Sequence, residues 1–487
     1  LSFVLQKAAV DMFPDLQLFL DYTLPNGLYG ELRRPAEGEA FVTEPAGADK
    51  VGTLRKRMEE IIRADLPFEK TKMTNDEAAA LFRRNGRSEK AALVADMEKF
   101  FVSVYLLDGY ADTFYGPLLE RTGQIDVFDL IPYGEGFCLQ APSASDPSVI
   151  SPYKYQDKLS AVFKENSEWC SILGAHGIGS VNESVKKGQA RELIAVAESL
   201  HERKYVKIAD MIHDRRDKVK LVLIAGPSSS GKTTTSKRIA LQCKVLGLNP
   251  LVIAMDDYFL NREKTPRDAN GEYDFESIYA LDLPFLGAQL NDLFDGKEVE
   301  LPKYDFVKGE RHFDGRRMRM KEGDILIMEG IHALNPELTK HIDGEKVFRV
   351  FASALTSLSV DENNYISTAD NRLLRRMVRD NFTRGITPEE TILRWKSVRA
   401  GEEKNIFPFQ ENADVMFNSA LLFELPLLRY YAEPLLERIP PLSEAYAESV
   451  RLRKFLSYIT PLTPDEIDCI PPTSVMREFI GGSTFEY

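Results

Sequence analysis

At 487 residues, with 44% apolar and 28% charged positions, the chain is globular in composition and too long for one core; disordered and fibrous classes are excluded and roughly two to four domains are expected. A formal net charge of −13 argues against a broad surface for the phosphate backbone of nucleic acid, while a local basic patch stays open. No apolar run approaches the ~20 residues that span a bilayer, no signal-peptide pattern opens the chain, and Cys138, Cys170, Cys243 and Cys469 lack disulfide or metal spacing, which together predict a cytoplasmic protein with reduced thiols and no membrane partner.

Residues 1–165 mix short apolar runs with Gly and Pro punctuation, the pattern of an α+β module rich in turns. Within 166–217, Leu193, Ala197, Leu200, Ile208 and Ile212 recur at helical spacing among Lys, Arg and Glu, so this stretch reads as a helical linker with one buried stripe. The charged HDRRDK at 213–218 marks a boundary. From 218 to 431, the runs KLVLIA (220–225), PLVIAM (250–255), DILIME (324–329) and KVFRVF (346–351) alternate with helical stretches such as TTTSKRIALQCKVL (233–246). That alternation predicts an α/β domain, a parallel sheet with helices on both faces. Residues 432–487 read as a partly helical extension, with PPTSVMREFIGG (471–482) as a packing strap.

Between the first of these strands and its helix, Gly226, Pro227, Ser228, Ser229, Ser230, Gly231, Lys232 and Thr233 fit the phosphate-loop pattern GxxxxGK[ST]. Such a loop wraps a polyphosphate with backbone N–H groups, so its glycines keep side chains out of the way, and the helix that follows turns its positive dipole end to the same anion. Lys232 is expected on the β- and γ-phosphates, Thr233 on Mg2+, and Thr234 completes the ATP-binding set. Chance matches to so short a pattern occur, but here the strand and helix that it requires flank it.

Ligands of open α/β sheets bind at the carboxyl ends of the strands. Asp256 and Asp257 follow PLVIAM, and Glu329 ends DILIME. Carboxylates there hold a metal shell or take a proton from an attacking hydroxyl; the plain alternative is an acidic loop or a helix cap. Further on, Arg372, Arg375, Arg376 and Arg379 are spaced to share one helix face, which suits a bound anion or, alternatively, a solvated face neutralised by Asp370 and Asp380.

GPSSSGKTTTSKR, MDDYF, YDFESIYALD, LPKYDF, MEGIHAL and RLLRRMVRDNFTRG, in this order, resemble the phosphoribulokinase/uridine kinase family over about 218–420. The resemblance implies a P-loop kinase domain with ATP and Mg2+ as cofactors. It implies Asp256 as catalytic base, Thr233, Asp256 and Glu329 as the metal environment, Lys232 with lid arginines Arg376 and Arg379 as charge-stabilising groups, and Asp257, Phe259, Glu276 and Tyr304 around the acceptor. The acceptor positions depart from the uridine-kinase pattern: Phe259 replaces a tyrosine, Glu276 an aspartate, Gly309 a histidine and Ile386 an arginine. Losing hydrogen-bonding groups shifts selectivity strongly, so an acceptor other than uridine is expected.

In the first half, ADLPFEKTKMTNDEAAALF (64–82) and FYGPLLERTGQIDVFDL (114–130) resemble the second, editing-type domain of threonyl-tRNA synthetases. The four positions assigned to its HxxxH and CxxxH groups are Leu1, Leu5, Phe114 and Leu118, all apolar, which implies a catalytically degenerate module. The resemblance also places a small TGS domain upstream of such modules, in keeping with a first residue that is not methionine. The expected activity is transfer of the γ-phosphate of ATP to a hydroxyl of a nucleoside or similar small polar metabolite. The alternatives are a kinase of a non-nucleoside sugar or polyol, and a regulatory NTPase that docks tRNA through the N-terminal half; a homo-oligomer stays open.

Overall fold

The computed structural model describes all residues except 25–26, 36–40, 98–99, 143–145, 151, 154, 176, 268–270, 306–307, 341, 357 and 487; Phe306 of LPKYDF and the final Tyr487 thus lie outside the described residues. The first 140 residues build two antiparallel sheets. One runs in the order Gln17–Leu24, Gly27–Pro35, Gly136–Gln140, Asp129–Tyr133, with Phe41–Glu44 paired to Gly27–Pro35; the other is Glu69–Thr74, Phe101–Leu107, Tyr110–Asp112. The helices Ser2–Met12 and Ala48–Arg63 cover the first sheet through one apolar cluster. Leu5 is buried in that cluster, and Leu1, Phe114 and Leu118 pack against it. The four apolar positions expected at a synthetase-type motif therefore belong to one apolar cluster, as packing groups.

The second half is organised by a five-stranded sheet, all of whose pairings are parallel, in the order Asn249–Ala254, Asp324–Glu329, Leu221–Ala225, Val347–Ser353, Val415–Asn418. Successive side chains of a strand point to opposite faces, so strands buried on both sides read as unbroken apolar runs. Leu221, Leu223 and Ala225 join one core with helix Leu283–Phe294, while Val222 and Ile224 join the other with helices Ala190–Asp214 and Lys232–Val245. Leu326 and Met328 against Ile325 and Ile327 divide in the same way. The α/β architecture with helices on both faces stands as the sequence implied, with an α+β region before it.

Within 166–217 the main element is helix Ala190–Asp214. Its expected stripe is displaced by part of a turn: Ala197, Ile208 and Ile212 are buried, but Leu193 and Leu200 are half-buried flankers, and Ile194, His201 and Tyr205 complete the inner face. A helix turning about 100° per residue carries a stripe wider than its most apolar positions, and the sheet takes the side that fits. A further core runs from Phe82 and Val104 through Leu374 and Met377 to Val475 and Phe479, so both halves of the chain contribute to it. Among the described residues no helix is long and apolar enough to cross a membrane.

Candidate active site at the strand ends

The wholly buried strand Leu221–Ala225 delivers the loop, and helix Lys232–Val245 leaves it. Two close approaches fix its shape. A Cβ on Gly226 would stand 1.9 Å from the Ala352 carbonyl oxygen, and one on Gly231, already at φ +78°, would stand 2.3 Å from Val475 Cγ2. Lys232 Nζ donates to Pro227 O at 3.0 Å, and Thr233 Oγ1 donates to Glu329 Oε1 at 3.0 Å.

Sheet register explains why distant acids meet here. Ala254 pairs with Glu329, and Glu329 pairs with Ile224, so Asp256, two residues past its strand, Glu329 and the loop gather at one edge. Burial pushes the Glu329 carboxyl up, and the charge of Asp256 pushes it further, against Lys232 and the Thr233 hydroxyl. Asp256 keeps contact with water at the cleft mouth. The protein around it still raises its carboxyl, while Lys232, Arg384 and Arg379 pull it back. Glu276 joins the same group: burial, then Glu402, raises it to about 7, opposed by Arg376 and Lys232. Like charges crowded together beside fixed cations are what a proton-accepting or cation-holding site requires.

The other acceptor positions form a neighbouring wall. Asp257 accepts from Tyr304 N at 3.1 Å and lies 3.7 Å from Arg316 of the antiparallel ribbon Glu298–Asp305 and Glu310–Arg319. The rings of Phe259 and Tyr304 are 5.7 Å apart. At Gly309 the Arg262 guanidinium fills the space of a side chain, its Nε 2.6 Å from where a Cβ would be.

Helix Thr368–Thr383 carries the four arginines, and the structure divides them. Arg372 and Arg375 are buried and form two-pronged ion pairs with Glu402 and Glu424. They also hold the loop: Arg372 Nη1 donates to Ser228 O at 3.1 Å, and Arg375 Nη2 to Ser419 O at 2.8 Å, while Ser419 Oγ donates to Ser230 O at 2.6 Å. Arg376 and Arg379 border the site. Arg376 Nη1 donates to Ser228 Oγ at 2.7 Å, and both share Asp380, at 3.3 and 2.7 Å. Of the two acids expected to neutralise this face, Asp370 is turned instead to Arg451, at 2.7 Å.

Four residues missed by sequence reasoning act here. Glu402 pairs with Arg372 and accepts from Ser228 N at 3.0 Å, Glu424 clamps Arg375, and Arg384 adds charge beside Asp256. The fourth is Glu478, on the short helix Arg477–Ile480: its Oε2 accepts from Thr234 N at 3.1 Å and Thr234 Oγ1 at 2.7 Å. The segment 471–482 thus packs as a strap through Val475 and Phe479 and touches the loop helix as well. Arg384 had a signal, lying in the TRG that ends the arginine motif; the three glutamates had none.

A family model described as phosphoribulokinase/uridine kinase family matches residues 221–422. Uridine kinases of Staphylococcus aureus strains JH9 and Newman are each 30% identical to this chain over 197 residues, covering 40% of it and 86% of the relative. Among solved structures, one described as a possible uridine kinase from Bacillus stearothermophilus aligns at 20% identity, over 43% of this chain and 100% of that one, with a TM-score of 0.28. A D-glycerate 3-kinase from Cryptococcus neoformans aligns at 17% identity, over 42% and 88%, with a TM-score of 0.31.

Proposed function

Because the chain belongs to the phosphoribulokinase/uridine kinase family, a family of phosphotransferases, we propose that it transfers the γ-phosphate of ATP to a hydroxyl of a nucleoside or similar small polar metabolite. One observation carries this reading: sheet register gathers Lys232, Thr233, Asp256 and Glu329 at one edge. Lys232 and the loop amides bind and orient the polyphosphate, and Asp256, its carboxyl raised above its ordinary value and open to water, accepts the acceptor's proton on its carboxylate oxygen. Arg376 and Arg379 offset charge on the moving phosphoryl group.

The donor set fits a divalent cation. Thr233 Oγ1 and Glu329 Oε1 are 3.0 Å apart, and the repulsion between Asp256 and Glu329 is what a cation relieves. Among the described residues no three His, Cys, Asp or Glu side chains converge as a metal site, so Thr233, Asp256 and Glu329 would hold Mg2+ together with phosphate oxygens. When bound, Mg2+ supplies charge neutralisation on the phosphates. The changed wall at Phe259, Glu276 and Gly309 supports an acceptor other than uridine. A screen of ADP release from Mg-ATP against nucleosides, sugars and polyols tests the reading. One chemical class is expected to stimulate release and to yield a phosphorylated product; stimulation by tRNA alone, with no such product, would replace the kinase by an RNA-linked NTPase.

Glu478 gives a second test. The N–H of Thr234 belongs to the helix N-terminus that an anion seeks, and a protein carboxylate accepts its hydrogen bond. Glu478→Ala is expected to tighten ATP binding about fivefold in titration calorimetry, roughly 1 kcal/mol for one competing hydrogen bond removed. Weaker binding in the variant would make Glu478 a group that positions Thr234.

A further inference from the structure

A cavity of about 260 Å³ lies away from the loop, beyond the carboxyl ends of strands Val347–Ser353 and Val415–Asn418, where helices Asp157–Ile172 and Ala190–Asp214 close over the sheet edge. None of the residues that bind or react in the proposed phosphoryl transfer lines it. Its inner wall is polar: Thr356 Oγ1 and Asn371 Oδ1 are buried, on residues 5% and 1% exposed, and neither has a hydrogen-bond partner among the described residues. Buried polar atoms are paired in nearly all folded proteins, so two orphans facing one cavity mark groups kept for something that enters it. Next to them His201, with Nε2 3.1 Å from Ala420 O, is held neutral by burial, its pKa pushed down to about 3. The mouth is different. The indole of Trp169 forms one side, with the Arg203 guanidinium 5.9 Å from its ring centroid, and Lys207 stands on the next turn of the same helix as Arg203. Lys204 between them is paired with Glu165, whereas Arg203 and Lys207 enter no ion pair among the described residues and are exposed.

The geometry points to this cavity as a binding site for a mononucleotide, its base against Trp169 and reaching Asn371 and Thr356, its phosphate on Arg203 and Lys207. An aromatic wall gives a planar ring a face, an amide oxygen and a hydroxyl at the closed end suit a ligand with a hydrogen-bonding edge, and two cations without an ion pair among the described residues at the open end select an anion. A free aromatic ring lacks the anion, a free phosphate lacks the ring, and a nucleoside leaves the cations unused; a mononucleotide meets all three. The site also abuts the loop's supports, since Glu424 lines the cavity and clamps Arg375, and Asn371 precedes Arg372 on the same helix. A bound mononucleotide therefore acts on the elements that hold the loop backbone.

Titration calorimetry of the full chain with AMP, GMP, CMP and UMP tests this. Saturable binding of at least one is expected, retained within threefold in Lys232→Ala, which disables the loop, and lost in Leu200→Trp, which fills the cavity from a half-buried position. Lys207→Glu, a surface change that leaves packing alone, is expected to weaken it about tenfold, and the matching nucleoside to bind no better than that variant binds the nucleotide. Absence of binding by all four would overturn the site. Binding kept in Leu200→Trp and lost in Lys232→Ala would assign it to the phosphate loop, and equal affinity for nucleoside and nucleotide would remove the phosphate from the assignment. Loss in Lys232→Ala concerns the kinase reading; loss in Leu200→Trp concerns only this cavity.

Discussion

Replacing Asp256 by Asn is expected to lower kcat by about 10³-fold, with the Kd for ADP unchanged within about threefold. Asparagine keeps the shape and loses both the charge and the capacity to take a proton. Asp256 stands where strand register puts it beside Glu329, and Lys232, Arg379 and Arg384 act on its charge. A carboxylate whose proton affinity is raised takes a proton more readily in the transition state, so the change falls on the chemical step and leaves ground-state nucleotide binding to the loop amides and Lys232. The variant carries its own control: with the charge of Asp256 gone, the upward push on Glu329 weakens and its carboxyl titrates lower, which difference infrared spectroscopy of a Glu329→Gln pair reads. A fall in kcat of less than tenfold would remove Asp256 from the chemistry. A matched loss in ADP affinity would make it a binding group.

The parts of this site legible in the sequence are those whose chemistry is local. The loop needs its glycines, lysine and threonine next to one another, Glu329 ends an apolar run that is a buried strand, and Asp256 follows one that forms the edge of the same sheet. The division of the arginine face was not legible. Spacing of three, four and seven residues puts Arg372, Arg375, Arg376 and Arg379 on one side of a helix, but a face is wide enough for its inner flank to be buried while its outer flank meets a cleft. Which flank is which depends on Glu402 and Glu424, acids that come from two later helices and are marked by nothing in their own neighbourhoods. Glu478 is the extreme case, 244 residues from the threonine whose N–H it accepts. Tertiary packing assigns these partners, and spacing within a segment carries no trace of it. The cavity beside Trp169 was invisible for the same reason: Leu200 reads as one more member of an apolar stripe, and only the fold makes it a wall.

Breaking the buried pair of Arg375 and Glu424 is expected to cost several kcal/mol of stability, about the range of other buried ion pairs that lose one partner. Glu424→Gln should lower the free energy of unfolding in urea by about 3–5 kcal/mol, the usual consequence of leaving one buried charge without its partner. Both side chains are almost wholly buried, at 0% and 1% exposure, and the guanidinium also donates to Ser419 O, so it has no route to water when the carboxylate is neutralised. A contrast comes from Lys218 and Glu345, 3.2 Å apart but 64% and 68% exposed, where Glu345→Gln should change stability by less than about 0.5 kcal/mol. The double variant Arg375→Met, Glu424→Leu separates two roles. Apolar replacement of both partners is expected to restore most of the stability, because the pair costs desolvation as well as contributing attraction. It is not expected to restore nucleotide affinity, since a thioether side chain offers no donors to the backbone that carries the loop, and the carbonyls of Ser229 and Ser419 lose their hold. Recovery of both would mean that the pair only fills space; recovery of stability alone makes it the support that keeps the loop in its phosphate-binding shape.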